Sequence, residues 1–441
     1  MNCILITSVL ILLLGMKESL QQPPGGGGGG ASPPAYSTDW ETSLRTKVFT
    51  NYSTQQRPSQ KVIVHVSFTL LTINDLNIKE QLMSTTGYLT LRWKDERLKW
   101  NSALDGNDYS NVKFLFSTES YVWRPALIVE NSISDVKIIS DTNTPMRILS
   151  TGNIEWSPMG LYVVSCESDI TYYPVDSQTC YVKISSWGYT SSEIDLQSKY
   201  STISLGFYSP NGEWDLISTT SEASAAKTRG DFSFSSLTFT VHVQRRLLFH
   251  TLNTMFPVAL MAFLIPMVFR LHPDAGEKIG FALTVLLAYA VYLTMISDSI
   301  PSTSFKPCYL SIYLVFILAL SSISVLCTIL VLNFNFGTDA DPISSATRFI
   351  LVSIVARLIC WNRKSCRPKR KIGNSNVELV EDLQSSESTQ EKGDSGEESD
   401  DITWQDLSNI LDRGFFMLFS VIILLTTAMF IAVVFSERAS S

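Results

Sequence analysis

Cys166 and Cys180 enclose thirteen residues, Glu-Ser-Asp-Ile-Thr-Tyr-Tyr-Pro-Val-Asp-Ser-Gln-Thr. Two cysteines so spaced can close a ring of fifteen residues, a closure worth roughly 3 kcal/mol in the chain-entropy description. The centre of the interval, Tyr173-Pro174-Val175-Asp176, sets an aromatic ring, a rigid turn and a carboxylate at its tip. Of the seven cysteines, Cys3 lies in an N-terminal apolar run, Cys308 and Cys327 at or in a long apolar run, and Cys360 and Cys366 in a basic segment. Cys166 and Cys180 are the pair left for an oxidising compartment. Other chemistry is absent. No Ser-His-Asp pattern, metal-ligand spacing or phosphate-binding glycine loop occurs, and His65, His242, His250 and His272 are scattered. The residues point away from an enzyme, a metal protein or a cofactor carrier, and no basic stripe suggests nucleic acid.

The elements that must hold this pair follow from apolar periodicity. Leu252–Phe269, Ile279–Ile296, Tyr309–Leu332 and Gly414–Phe435 are uncharged apolar stretches, each about as long as a helix crossing a ~30 Å hydrocarbon core. Ile4–Leu14 is too short to cross and reads as the core of a signal peptide over 1–20, although no basic residue precedes it. Residues 21–35, with six consecutive glycines, read as linker. From 36 to 250 the chain alternates at period two, as in Lys61–Leu70, Gly87–Trp93 and Ser235–Val243, which predicts an all-β sandwich rather than helices. Residues 251–332 hold three spans, 414–436 a fourth and 437–441 a tail. A cleaved signal puts the sandwich outside. The cluster Arg363, Lys364, Arg367, Lys369, Arg370 and Lys371 in the 333–413 loop then lies inside. Within that loop Thr347–Trp361 suits the membrane interface, and Asn374–Asp401 is polar enough to stay unstructured. Trp404, Leu407, Ile410 and Leu411 fall at helical spacing before the last span, with Asp406 and Asp412 off the stripe. The net charge of −7 is divided between loop and sandwich and says little about partners.

Several short motifs stand in a fixed order: Trp93-x-Asp95-x-x-Leu98-x-Trp100, Trp123-x-Pro125, Gly152-Asn-Ile-Glu-Trp156-Ser-Pro158 and Gly212-Glu-Trp214. With the ring and the four spans, they resemble the Cys-loop (pentameric ligand-gated) ion channels from about Lys61 to Leu332, and again over the last helix. Pro273–Ala288 is similar to invertebrate nicotinic-type subunits. Nicotinic and serotonin-type cation channels are the nearest branch. The resemblance implies an α+β membrane protein, an extracellular immunoglobulin-like β-sandwich followed by a four-helix transmembrane bundle. It also implies a homo- or hetero-pentamer with a small-molecule agonist (an amine is one class), permeant cations, surrounding lipid and no cofactor. A plasma-membrane, multi-pass location follows, with both termini outside and the postsynaptic membrane as one setting. Asn51-Tyr52-Ser53 is a glycosylation sequon.

The second span carries the expected pore. Gly280, Thr284, Leu287, Val291, Thr294 and Asp298 recur every three or four residues and share a helical face. Around a five-fold axis Leu287 and Val291 form an apolar girdle, Thr284 supplies hydroxyls, and Glu277 and Asp298 form carboxylate rings at the two ends. Anion-selective members carry an extra residue and a Pro-Ala pair before this span; Ala275-Gly276-Glu277-Lys278 has neither.

The agonist pocket of such channels encloses an ammonium in aromatic rings at subunit interfaces. Matched residue by residue, Trp187 in Ser185-Ser-Trp-Gly-Tyr189 is its central tryptophan. Tyr88 takes the complementary-face position, Phe234 or Phe232 is the last aromatic of the capping loop, and Trp156 a complementary-side lining residue. Three departures stand out. Glu130 replaces a tyrosine, Ala126 a carboxylate, and the capping loop Thr219–Gly230 has no adjacent cysteine pair. Glu130 either pairs with an ammonium or confers sensitivity to protons or divalent cations. An agonist-insensitive accessory subunit is the other reading. For coupling to the pore, the resemblance points to Tyr173, Pro174 and Asp176 of the ring, Arg245 before span one, and Pro301 in the 299–307 link. Because Ile78 replaces the usual hairpin acid, Asp176 is the expected partner of Arg245.

Overall fold

The computed structural model describes residues 37–336 and 404–440, apart from 102, 105–106, 110–111, 135, 274–275 and 302–306. The expected signal and linker over 1–35, and the basic, interfacial and polar segments expected between 337 and 403, lie outside the described residues.

The 36–250 region opens with a helix, α1 (Thr38–Phe49), where only strands were expected. Thr42, Thr46 and Thr50 turn their hydroxyls back to the carbonyls four residues earlier. Leu44 is the one side chain of α1 that is buried, so the helix leaves almost no apolar stripe in the sequence.

Strands follow: β1 (Val62–Asn77), β2 (Leu82–Lys94), the short β3 (Ala103–Leu104) and β4 (Asn107–Asp108), β5 (Phe114–Ser117), β6 (Leu127–Val129) and β7 (Met146–Leu149). Then come β8 (Asn153–Trp156), β9 (Met159–Ser165), β10 (Ser177–Ser186), β11 (Ile194–Ser198), β12 (Trp214–Arg229) and β13 (Phe232–Arg245). One sheet runs β11-β1-β2-β8-β7-β5, with β9 also paired to β2; the other runs β12-β13-β10-β6. Along β2 the residues Met83, Thr85, Gly87, Leu89, Leu91 and Trp93 are buried and their neighbours are not. This is the period-two signal of a strand with one face in a core. The two sheets meet at Phe68 of β1, whose ring lies 5.6 Å from Phe239 of β13 and 5.4 Å from Tyr162 of β9. Gly87 is required there, since a Cβ would fall 2.5 Å from the Thr69 carbonyl oxygen and 2.8 Å from the Phe68 ring. The Cys166–Cys180 disulfide joins the residue after β9 to β10, and so one sheet to the other.

Among the described residues four helices follow, each long and apolar enough to cross a membrane: α2 (Leu247–Arg270), α3 (Lys278–Ser299), α4 (Tyr309–Asn335) and α5 (Trp404–Ser440). α2 begins two residues after β13, so the sandwich feeds directly into the bundle. Its turn Thr251–Met255 is widened into a π-helix just ahead of Pro257, which lacks an N–H and crowds the preceding turn. Tyr292 and Tyr289 of α3 donate their hydroxyls to the α2 carbonyls of Thr254 (2.7 Å) and Val258 (3.0 Å). Tyr313 of α4 stacks on Phe430 of α5 at 4.6 Å. The helix expected ahead of the last span is continuous with it, and the expected tail over 437–440 is its last turn. The architecture is a β-sandwich followed by four apolar helices.

Candidate functional site

The α3 stripe is the clearest arrangement. Gly280, Thr284, Leu287, Val291, Thr294 and Asp298 are all exposed on the single chain, with Glu277 exposed at the head of the helix. Leu287 is 64 % and Val291 52 % exposed. The opposite side of α3, with Ala282, Val285, Tyr289 and Ile296, packs against the bundle. One side of α3 is thus packed on its own chain, and the other has no protein against it among the described residues. Thr284 and Thr294 turn their hydroxyls to the carbonyls three residues back, so their own helix satisfies the donors and the oxygens line the face.

The aromatic residues fall into two groups. Trp187 follows β10 and is fixed by its backbone N–H donating to the Ala126 carbonyl at 2.8 Å; it is 48 % exposed. Phe234 and Trp187 share one guanidinium: the Arg229 carbon lies 4.6 Å and 4.5 Å from their ring centroids. Tyr189 is half-buried, edge-on to Trp123 at 6.4 Å, with Arg57 6.0 Å over it. Phe232 is exposed at the head of β13. The sheet register sets Glu130 opposite Lys183, while Ala126 faces Trp187. Four residues of strand, about 13 Å, separate those positions. Tyr88 lies apart in β2, opposite Met159 of β9. Trp156 is 1 % exposed, and its indole N–H has no acceptor among the described residues. On the single chain it is core rather than lining.

The third arrangement lies where sandwich and helices meet. Arg245 is buried and donates from Nε to Asp176 Oδ1 at 2.8 Å and from Nη2 to Oδ2 at 3.3 Å. This is the partner read from the sequence. Gln178 holds the same carboxylate at 2.6 Å. The guanidinium lies 4.2 Å from the Trp214 ring and 5.3 Å from Tyr173. Sequence reasoning missed two members. Glu213 accepts from Arg245 Nη1, and His250 Nε2 lies 3.4 Å from Glu213 Oε1. His250 therefore belongs to a constellation, contrary to expectation; Glu213 was visible in the Gly212-Glu-Trp motif but had no role. The hydrogen bond from His250, and then the Arg245 charge, hold the Glu213 carboxyl below its usual range. Tyr173 and Pro174 are buried beside this cluster, and Pro301 is buried after α3. The ring also touches α4: Tyr309 N–H donates to the Thr171 carbonyl at 3.1 Å, and Tyr172 lies 5.5 Å from Tyr309.

A fourth feature concerns Asp412, which helical spacing sets off the apolar stripe. It is buried against Lys278 at the head of α3, with Nζ 2.5 Å from Oδ1. Asn51 is exposed just after α1 with φ of 62°. No group of three or more candidate metal ligands occurs among the described residues.

Comparison with known families matches residues 41–247 to the neurotransmitter-gated ion-channel ligand binding domain and residues 254–401 to the neurotransmitter-gated ion-channel transmembrane region. The chain is 32 % identical to the Xenopus laevis acetylcholine receptor subunit beta over 339 residues, covering 74 % of this chain and 68 % of that one. It is 29 % identical to the human neuronal acetylcholine receptor subunit alpha-3 over 338 residues, 75 % of this chain and 66 % of the relative. Against the acetylcholine receptor subunit alpha-L1 of Schistocerca gregaria it is 32 % identical over 308 residues, 66 % of this chain and 54 % of that one. The chain thus spans just under two thirds of the human relative and about half of the insect one.

Proposed function

Because the chain belongs to the neurotransmitter-gated ion-channel family, we propose that it is one subunit of a pentameric, extracellular-ligand-gated cation channel whose pore is lined by α3. The observation that carries this is the exposed stripe from Glu277 to Asp298. Five such faces around an axis enclose a column with small and hydroxylic residues toward Glu277, apolar residues in the middle and a carboxylate ring at each end. Leu287 and Val291 close it by excluding water. Glu277 and Asp298 draw cations to the mouths and repel anions, an effect focused by low-dielectric walls.

Agonist binding is placed at the subunit interface, between Trp187, Tyr189, Phe232 and Phe234 of one copy and Tyr88 of the next. Movement there reaches the pore through the Asp176–Arg245 joint and the ring's contact with Tyr309. The relatives, named as acetylcholine receptor subunits, favour acetylcholine as the ligand to try first; Glu130 and the missing cysteine pair favour a subunit without the ordinary amine site, acting inside a heteromer. We place the protein in the plasma membrane with both termini outside, in a postsynaptic setting, with Asn51 glycosylated.

The test is electrical. In cells expressing the chain with Leu287→Ser, which hydrates the girdle and opens the pore without ligand, the current should reverse far from the chloride potential when external sodium chloride is diluted. Glu277→Ala should move the reversal toward chloride. Asp298→Ala, in a wider mouth where charge fades beyond ~8 Å, should mainly lower inward single-channel current. Reversal of the Leu287→Ser channel at the chloride potential refutes the cation reading.

A further inference from the structure

The aromatic pair expected to hold a ligand's ammonium already holds a cation of its own chain. Arg229 is the last residue of β12, ahead of the Gly230-Asp231 turn, and pairs across the hairpin with Phe232. From there its guanidinium reaches 4.5 Å from the Trp187 centroid and 4.6 Å from that of Phe234. Both distances lie within the ~6 Å over which a ring face attracts a cation. A guanidinium also stacks flat on such faces, which an ammonium does not.

The neighbouring aromatic sharpens the point. Tyr189 has Arg57 over its ring at 6.0 Å, but Arg57 is paired with Glu193 at 3.2 Å. Arg229 has no carboxylate partner among the described residues, so no ion pair draws it away from the rings. A second cation seeking the same faces meets occupied surface and a like charge.

We propose that Arg229 is the resident cation of the Trp187–Phe234 pair and a specificity-determining residue, excluding ammonium ligands from the site as long as it is seated. The proposal rests on the reading of these aromatics as the ligand site. It fits two of the three departures from the family pattern: a pocket filled from within needs neither the tyrosine that Glu130 replaces nor a capping loop clasped by cysteines.

The test uses choline as probe and the purified full-length chain. Calorimetric titration should detect choline binding to Arg229→Gln at a concentration at least about tenfold below any binding to the parent chain. Arg229→Lys, which restores a cation on a flexible stem, should return the parent behaviour; a merely structural role for Arg229 would not be rescued by charge alone. If Arg229→Gln fails to reach the membrane, Arg229→Met, which keeps an apolar stem along the rings, takes its place. Equal choline affinity in parent and variant, or no binding by either, overturns the proposal. The channel reading is scored separately by the Leu287→Ser current. A conducting channel whose Arg229→Gln form ignores choline sinks this inference alone. A chain that binds choline only as Arg229→Gln, yet whose Leu287→Ser current reverses at the chloride potential, spares it and sinks the other.

Discussion

The two ends of the helix bundle are each closed by a buried cation on a carboxylate, but they are built differently. At the sandwich end Arg245 forks onto Asp176, reaches Glu213 and lies between two aromatic rings. At the far end Lys278 offers one ammonium to one carboxylate, Asp412, with Phe269 at 6.0 Å. The first cation joins β10, β12 and β13 to the head of α2, and one of its carboxylates is half-exposed and shared with His250. The second joins the head of α3 to the first turns of α5, beside the end of α2. An arginine with five fixed donors can serve several elements at once; a lysine behaves as a point charge. The sandwich end is thus a joint with several partners that can be reweighted. The far end is a clasp that is made or broken.

The largest effect should come from Arg245→Ala. It leaves Asp176 charged and buried with only Gln178 beside it, a loss of about 3–5 kcal/mol, and surface expression of the assembled protein should collapse. Arg245→Lys sharpens the comparison: without the fork it should recover only part of the loss, measured by surface labelling and by the thermal midpoint in detergent. Full recovery by lysine would make the two ends equivalent after all.

Next comes the clasp. Lys278→Met strands Asp412, and the cost should fall at the low end of the same range, about 3 kcal/mol, because a single contact is lost. Adding Asp412→Leu should restore most of the stability, since an apolar pair of similar volume often replaces a buried ion pair without loss. If the double variant remains as unstable as Lys278→Met, Lys278 acts through something other than Asp412.

What the sequence could tell divides along the same line. The α3 stripe was legible because 3.6-residue periodicity is a property of neighbours in the chain, and so was the alternation of β2. Asp176 as the partner of Arg245 was legible through the motif and the missing acid at Ile78. Asp412, off the apolar stripe of α5 by periodicity, is nonetheless buried. Burial of a charge is decided by a partner 134 residues away, which no local pattern records. His250 and Glu213 escaped for the same reason, 37 residues apart. The helix α1 was hidden by having a single buried side chain. The Trp187–Phe234 pair was read as part of a cage, but the Arg229 guanidinium over both rings comes from across a hairpin whose register only the fold supplies.

The smallest effect, and the one that best separates a joint from a clasp, concerns Glu213. Its carboxyl is held below the ordinary glutamate range by His250 and Arg245, so its ionised form is favoured by the fold. A depressed acid contributes stability that is complete above its unfolded-state value, about 4.3, and lost as pH falls through its lower folded-state value. Glu213 is 49 % exposed, so water screens much of the interaction and the contribution is modest, at most about 1 kcal/mol. Glu213→Gln should therefore lower the thermal midpoint slightly at pH 7, and the gap to the parent should narrow on acidification below about pH 4.3. Arg245 keeps Asp176 in either protein, so assembly should survive. Melting both proteins across that range gives the difference directly, because every other group is common to the two. A gap that stays constant would show that Glu213 contributes by shape rather than charge. A gap that widens would reverse the sign and place the stabilising proton on Glu213 itself.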